Sequence, residues 1–417
     1  MNRNKWLVLV TFILILGLFT LVDTFCDQKK IALKEFYKEI ELFADAISVI
    51  RLHYVDDVDA KEIIYGALEG MLSSLDDYSQ FMEPVDYKEM KEETKGEFGG
   101  LGIQIGIRDK MLTVIAPISG TPADKAGLKP RDIIVKIDNE PTKHITIDKA
   151  VKKLRGKPGT KVNLTIWREE EEKFIEVEIT RAIIEVKSVR KNIVLDGDIG
   201  YIKLVEFQEN TPKEIEAAMK EFMKNEVKGV ILDLRNNAGG LLSSAVGVSD
   251  LFLKKGDMIV STKGRIESQN KEFKSTKNTP FNEITMVVLV NEGSASASEI
   301  VAGAIKDNTR GILVGKNTFG KGSVQTVLPL RDGSALRITT AEYFTPSNVS
   351  IRKKGIPPDV DVKLEIFGDE NDKDLFEQLK EEGKDGRDIL EKDSQIKAAM
   401  DMIKAVNIYR EQSGVKG

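Results

Sequence analysis

The stretch MVVLVNEGSASASEIVAGA, Met286 to Ala304, passes from an unbroken apolar run to a helical pattern within a few residues. Val287-Val288-Leu289-Val290 suits a strand buried on both faces, the mark of a parallel sheet. Asn291 and Gly293 are turn formers, and Glu299 stands where a helix start favours an acid, with Ile300, Val301, Ala304 and Ile305 following at helical spacing. Strand, tight turn and helix in that order can lift one serine of the Ser294–Ser298 run out of the sheet. The helix-start N–H groups and the positive end of the dipole then converge on the same point. Acyl transfer needs that geometry, although a serine-rich helix start is also a common plain cap.

A serine nucleophile needs a base. The chain holds only two histidines, His53 in an amphipathic helical stretch and His144 beside a turn elsewhere, and neither reads as a triad member. For Ser296 the base is therefore expected to be a lysine or a carboxylate. Lys321 lies between two glycines after the strand-like Ile312-Leu313-Val314, and Gln325 four residues on projects to the same side. Burial among apolar strands would lower the pKa of such a lysine toward the range a general base requires. Gly315 to Lys321 also fits the first seven positions of a phosphate-binding loop, but Gly322 stands where the magnesium-binding hydroxyl is needed.

Three blocks together, LDLRNNAGG (Leu232–Gly240), VNEGSASASE (Val290–Glu299) and TFGKGSVQ (Thr318–Gln325), resemble the signature of the C-terminal processing peptidases, or tail-specific proteases. The resemblance implies a serine–lysine dyad with Ser296 as nucleophile, Lys321 as base and Gln325 orienting the lysine. It also implies oxyanion donors at the backbone N–H of Ala297 and of a glycine in NNAGG, Gly240 before Gly239. Ala238 replaces the Pro or Gly of many members. Arg235, Asn236 and Asn237 are expected to pin the oxyanion loop.

From 96 to 183 short strands alternate with glycine turns. Phe98-Gly99-Gly100-Leu101-Gly102-Ile103 can aim successive N–H groups at a carboxylate while offering a strand edge to an extended peptide. The segment resembles a PDZ domain, with the N–H groups of Leu101, Gly102 and Ile103 as carboxylate donors. A dinucleotide loop is excluded because Ile105 occupies the third glycine position. Arg155 ends the groove helix and is a regulatory candidate that could pair with the catalytic domain.

The core, 184–364, alternates strand-like and helical runs, which predicts an α/β fold with a largely parallel sheet. Its family resemblance implies a crotonase- and Clp-like architecture, with the PDZ domain inserted ahead of it. Tyr201 to Glu206 and Arg337 to Tyr343 are expected to supply strand edges to substrate. Helices flank this arrangement, at 31–95 with an apolar stripe suited to core or subunit packing, and at 365–417 with a final helix. That helix should dock on the N-terminal helices or on a second subunit in a homodimer.

Charge is balanced, Lys+Arg 62 against Asp+Glu 67 for a net −5, and well mixed, so a nucleic-acid partner is not expected. One cysteine and two histidines leave no basis for a disulfide or a metal, and no cofactor is expected. Arg3 and Lys5 precede an apolar run from Trp6 to Val22. Residues 1–25 therefore read as a signal-anchor that holds a single-pass protein in the cell membrane with its catalytic part extracytoplasmic, or as a signal peptide if cleaved. The partners this implies are polypeptides with exposed apolar C-termini, with a regulatory protein as a further one. The alternative is a non-catalytic module that binds peptides or hydrophobic ligands on the same fold.

Overall fold

The computed structural model describes residues 34–196, 198–365, 390 and 392–413, so the proposed anchor at 1–25 lies outside the described residues. The chain divides after Phe81 into two compact units. The first holds helix α1 (34–53) and α2 (Ala60–Ser73), the latter capped by Asp59, whose carboxylate accepts from the Lys61 N–H. Phe36, Ile40, Phe43 and Ile50, the apolar stripe of α1, are exposed in the single chain.

The second unit opens with α3 (Pro84–Lys95), which starts on a proline and ends at Gly96 in the left-handed region, φ +72°. The chain leaves α3 along β1 (Glu97–Gly100) and returns along β7 (Ala182–Glu185), paired antiparallel with it. Between them lie β2 (Ile103–Arg108), β3 (Met111–Pro117), β4 (Ile133–Ile137), helix α4 (Ile147–Leu154), β5 (Lys161–Arg168) and β6 (Lys173–Thr180). The strands form one antiparallel sheet in the order β2-β3-β4-β5-β6. In β5, Val162, Leu164 and Ile166 are buried while Lys161 and Asn163 face water, the period-two pattern of a sheet with one covered face. Together with Leu112, Val114, Ile134 and Ala150 they form a core separate from the rest of the unit.

The larger part follows: β8 (Val189–Leu195), β9 (Ile199–Leu204), α5 (Thr211–Lys224), β10 (Gly229–Asp233) and α6 (Leu242–Phe252). Next come β11 (Met258–Gly264), β12 (Lys271–Lys274), β13 (Thr285–Val290) and α7 (Ala297–Asp307). The series ends with β14 (Ile312–Gly315), β15 (Ser323–Pro329), β16 (Ala335–Phe344), β17 (Val360–Asp361) and α8 (Ser394–Ser413). Six strands make a sheet in the order β8-β9-β10-β13-β14-β17, parallel except for β8. A second, antiparallel sheet runs β15-β16-β11-β12. Every residue of β13 is buried, because both faces of the main sheet are covered. Helices α5, α6 and α7 bury Ile215, Met219, Val248, Ile300 and Val301 on one face, and α8 closes the other with Ile396, Ala399 and Ile403 against Tyr201, Ile231 and Leu289.

Two expectations change here. Helix α8 docks on the catalytic sheet itself, because the sheet's second face would otherwise be bare apolar surface. Residues of β9 cannot offer a free edge either, since β8 and β10 take both sides of it. In β16, β15 pairs along one edge and β11 takes Ala341 to Phe344 on the other.

Candidate active site

β13 ends at Val290, and the chain turns on Asn291 before α7 begins. The Asn291 Oδ1 accepts from the N–H of Asn236 (2.8 Å) and of Gly293 (3.1 Å), so the turn is tied to the loop leaving β10. Of the three serines in the run, Ser294 and Ser298 are fully buried with their hydroxyls committed. Ser294 Oγ donates to the Leu234 carbonyl at 2.8 Å and Ser298 Oγ to the Asn237 carbonyl at 2.9 Å. Ser296 differs from both. It precedes α7 with φ +54° and ψ −110°, a conformation L-residues adopt only under constraint, and its hydroxyl makes no cap bond. Strain of that kind at a strand-to-helix turn holds a side chain outward from the sheet.

Buried Glu299 constrains the site from below. Its Oε2 accepts from the Ser296 N–H and from the Lys321 N–H, both at 2.9 Å. Its Oε1 accepts from Thr318 Oγ1 at 2.6 Å and from the Gly320 N–H at 2.7 Å. One carboxylate therefore clamps the backbones of Ser296 and Lys321, 25 residues apart, to a common point. The Phe319 N–H adds a bond to the Ser294 carbonyl at 3.0 Å. Burial raises the Glu299 pKa, and the four hydrogen bonds oppose that rise. From sequence, Glu299 reads only as a helix-start acid; its second role depends on the loop at 318–321, which no local pattern reveals.

Lys321 is half-buried in the loop between β14 and β15, and that loop leads into a strand, so the helix a phosphate-binding loop requires is absent at this point. Burial lowers the Lys321 pKa first, and the Arg337 guanidinium from β16 lowers it further, while Glu299 acts the other way. Gln325 lies in β15 after a register irregularity, its amide donating to Ser323 Oγ at 2.8 Å. From sequence, Arg337 reads only as the start of a strand edge for substrate; the pairing of β16 with β15 is what brings it near Lys321.

The loop after β10 faces the start of α7. Asn237, fully buried, spans it: Nδ2 donates to the Leu204 carbonyl (3.0 Å), Oδ1 accepts from the Gly239 N–H (2.9 Å), and its carbonyl accepts from the Ala295 N–H (3.0 Å). The Gly239 N–H is thus engaged and does not face a substrate, which corrects its candidacy as an oxyanion donor. Gly239 is wanted for closeness instead, since a Cβ there would lie 2.8 Å from that of Ser296. The Gly240 N–H makes no hydrogen bond among the described residues, and the Ala297 N–H, first of its helix, has no intrahelical acceptor. Phe207 clasps Gly240 from outside, its N–H donating to the Gly239 carbonyl (2.9 Å) and its carbonyl accepting from Leu241 (2.8 Å).

Asn236 and Asn237 pin this loop as expected, but Arg235 turns the other way. Its guanidinium forks onto Asp233 (3.0 and 2.7 Å) and reaches Asp393 (2.7 Å) and Gln395 (2.8 Å) at the start of α8. Burial alone would raise the Asp233 pKa, but these bonds and the nearby cations hold it below the usual carboxylate range. Tyr201 and Lys203 also donate to Asp233.

In the PDZ-like domain the carbonyls of Leu101 and Gly102 accept from Ala123 and Ile118. Across trans peptides, the N–H groups of Gly102 and Ile103 therefore point the other way. A groove of about 100 Å³ lies there, lined by Leu101, Gly102, Ile103, Ile105, Val151 and Leu154, with Arg155 at its rim. The Arg155 guanidinium stacks 4.5 Å over the Phe98 ring within this same domain and forms no ion pair among the described residues. Pairing with the catalytic domain is not seen in this arrangement.

Residues 198–362 match the family model for peptidase family S41, 113–168 that for the PDZ domain, and 22–85 that for the activating protease CtpB N-terminal domain. The carboxy-terminal-processing protease of Bartonella bacilliformis is 44% identical over 78% of this chain and 76% of its own length. The carboxy-terminal processing protease CtpA of Bacillus subtilis is 39% identical over 76% of this chain and 68% of its own. Among solved structures, the photosystem II D1 C-terminal processing protease covers 77% of this chain and 92% of itself at 30% identity, TM-score 0.46. Fold and likeness define a serine-type peptidase with a mixed α/β core and a PDZ insert. The chain belongs to peptidase family S41, the C-terminal processing proteases.

Proposed function

We propose that this C-terminal processing peptidase holds the apolar C-terminus of an extracytoplasmic polypeptide in the PDZ groove and cuts nearby with a Ser296–Lys321 dyad. Ser296 Oγ forms a bond to the scissile carbonyl carbon while neutral Lys321 Nζ takes its proton. The N–H groups of Gly240 and Ala297 receive the negative charge on the oxygen. The tetrahedral species collapses, the C–N bond breaks, and Lys321 returns the proton to the leaving amine. Water then gives a proton to Lys321 Nζ as its oxygen bonds to the acyl carbon, the bond from that carbon to Ser296 Oγ breaks, and Lys321 returns the proton to Ser296 Oγ. Gln325 steadies the lysine loop through Ser323. The observation that carries this reading is that Ser296 alone of its three serines has a hydroxyl that donates to no carbonyl among the described residues, while Glu299 ties its backbone to that of Lys321.

Placement at the cell membrane rests on the apolar run from Trp6 to Val22, and self-association into a homodimer on the exposed stripe of α1. A regulatory protein partner is compatible with a groove that its ligand must enter from outside. The test is cleavage of an unstructured protein with an apolar C-terminus by the full chain, beside Ser296→Ala and Lys321→Ala. Each variant should fold as wild type and lose at least ~10³-fold in rate. Cleavage surviving Lys321→Ala unchanged would remove the dyad.

A further inference from the structure

Both connections of the PDZ domain to the catalytic part converge on one side chain. The outgoing connection starts at Gly96, where a Cβ would lie 2.3 Å from Gln208 Oε1. The returning one passes Ser188, whose hydroxyl donates to the same Oε1 at 3.0 Å. The ring closes through Thr211: the Gln208 N–H donates to Thr211 Oγ1 (2.8 Å), which donates to Ser188 Oγ (2.6 Å). Gln208 Nε2 is held by Glu206 at 3.1 Å. Ser188, Gln208 and Thr211 are 0 to 5% exposed, so the ring is dry and each bond is costly to leave unmade.

The two connections are also tied to each other and to this loop by backbone. The Val186 N–H donates to the Gly96 carbonyl (2.8 Å), the Val205 N–H to Ser188 (3.0 Å) and the Glu209 N–H to Thr94 on α3 (3.0 Å). The residue before Gln208 is Phe207, whose two backbone bonds bracket Gly240. A rotation of the PDZ domain that moves Gly96 and Ser188 must therefore either break the ring or carry Gln208 with it. Carrying Gln208 moves Phe207 and, with it, the Gly240 N–H.

We infer that Gln208 is the positioning residue that converts PDZ-domain position into placement of the Gly240 oxyanion donor, so that groove occupancy is read out in kcat. Phe98 extends the path to the groove, since it lies in β1 two residues from Gly96 and packs under Arg155. This inference rests on the proposed roles of Gly240 and of the groove.

The experiment uses the full chain, wild type beside Gln208→Ala and Ser188→Ala, with an apolar peptide bearing a free C-terminal carboxylate. Four quantities are read: peptide affinity, kcat and KM on a short substrate with an amidated C-terminus, and amide exchange at Phe207 and residues 239–241. Wild type should change kcat with saturating peptide by a factor within the roughly 5–150-fold range of allosteric couplings, and change exchange at those amides. In both variants the peptide should bind within about twofold of wild type while the kcat factor falls toward one, with KM unmoved. A purely structural role would lower stability without removing the response. The inference is overturned if Gln208→Ala, or Ser188→Ala should the former not fold, keeps the wild-type factor. It is also overturned if bound peptide leaves exchange at Phe207 and 239–241 unchanged in wild type. Exchange that responds to peptide in a wild type that cleaves nothing would sink the catalytic roles and leave the coupling standing.

Discussion

The proposed base, Lys321, can accept a proton only in its neutral form, so the dyad predicts that activity rises as pH climbs through its pKa. Burial and the Arg337 guanidinium both push that pKa down. Replacing the cation, Arg337→Gln, removes one of these effects and raises the pKa. The acidic limb of the kcat/KM profile should then move to higher pH, and a limb that stays in place would deny Arg337 this part. Glu299 is the second residue whose weight only the structure reveals. Glu299→Gln sets an amide NH₂ against two of four donors, so kcat should fall on the order of 10²-fold, the scale of a displaced oxyanion donor, with KM little changed. Steady-state kinetics on one unstructured substrate separates the two constants. Ser296, Lys321 and Gln325 are legible as a candidate set because two of the three motif blocks carry them. Glu299 and Arg337 are not, since the first looks like any helix-start acid and the second like any strand arginine.

Among the elements, β10 and α8 depend on each other through a buried charge cluster. Asp233 is 1% exposed and accepts from Tyr201, Lys203 and Arg235, while Arg235 reaches Asp393 and Gln395 ahead of α8. Asp233→Asn would take the carboxylate from half-buried Lys203 and leave buried Arg235 with Asp393 alone, at a cost of roughly 3–5 kcal/mol. Urea unfolding should show a lower midpoint with an unchanged slope. A loss below about 1 kcal/mol would mean that water replaces the carboxylate. The strand–turn–helix reading of 286–304 matches the elements found, because a fully buried strand and a helix start are both local patterns. The docking of α8 was not readable, as an amphipathic helix announces an apolar face without saying what covers it.

At the scale of the molecule, the exposed stripe of α1 bears on assembly. Phe36 and Phe43 are 60% and 44% exposed, and burying one such side chain is worth about 1.5–3 kcal/mol. If the stripe joins two copies, the double variant Phe36→Ser/Phe43→Ser should raise the dimer dissociation constant by at least ~10-fold in sedimentation velocity. Identical sedimentation of the two proteins would end that idea.

Sequence by itself determined the α/β core, the PDZ insert and the three motif blocks, because each rests on periodicity or short-range spacing. Tertiary structure decided which serine hydroxyl and which glycine N–H make no hydrogen bond among the described residues, and that α8 covers the main sheet. It also brought Ser188, Gln208 and Thr211 into one ring beside Gly96 and Phe207. Those outcomes depend on contacts between residues up to 208 positions apart, and such partners are chosen by the packing of sheets and helices rather than by any neighbour in the chain.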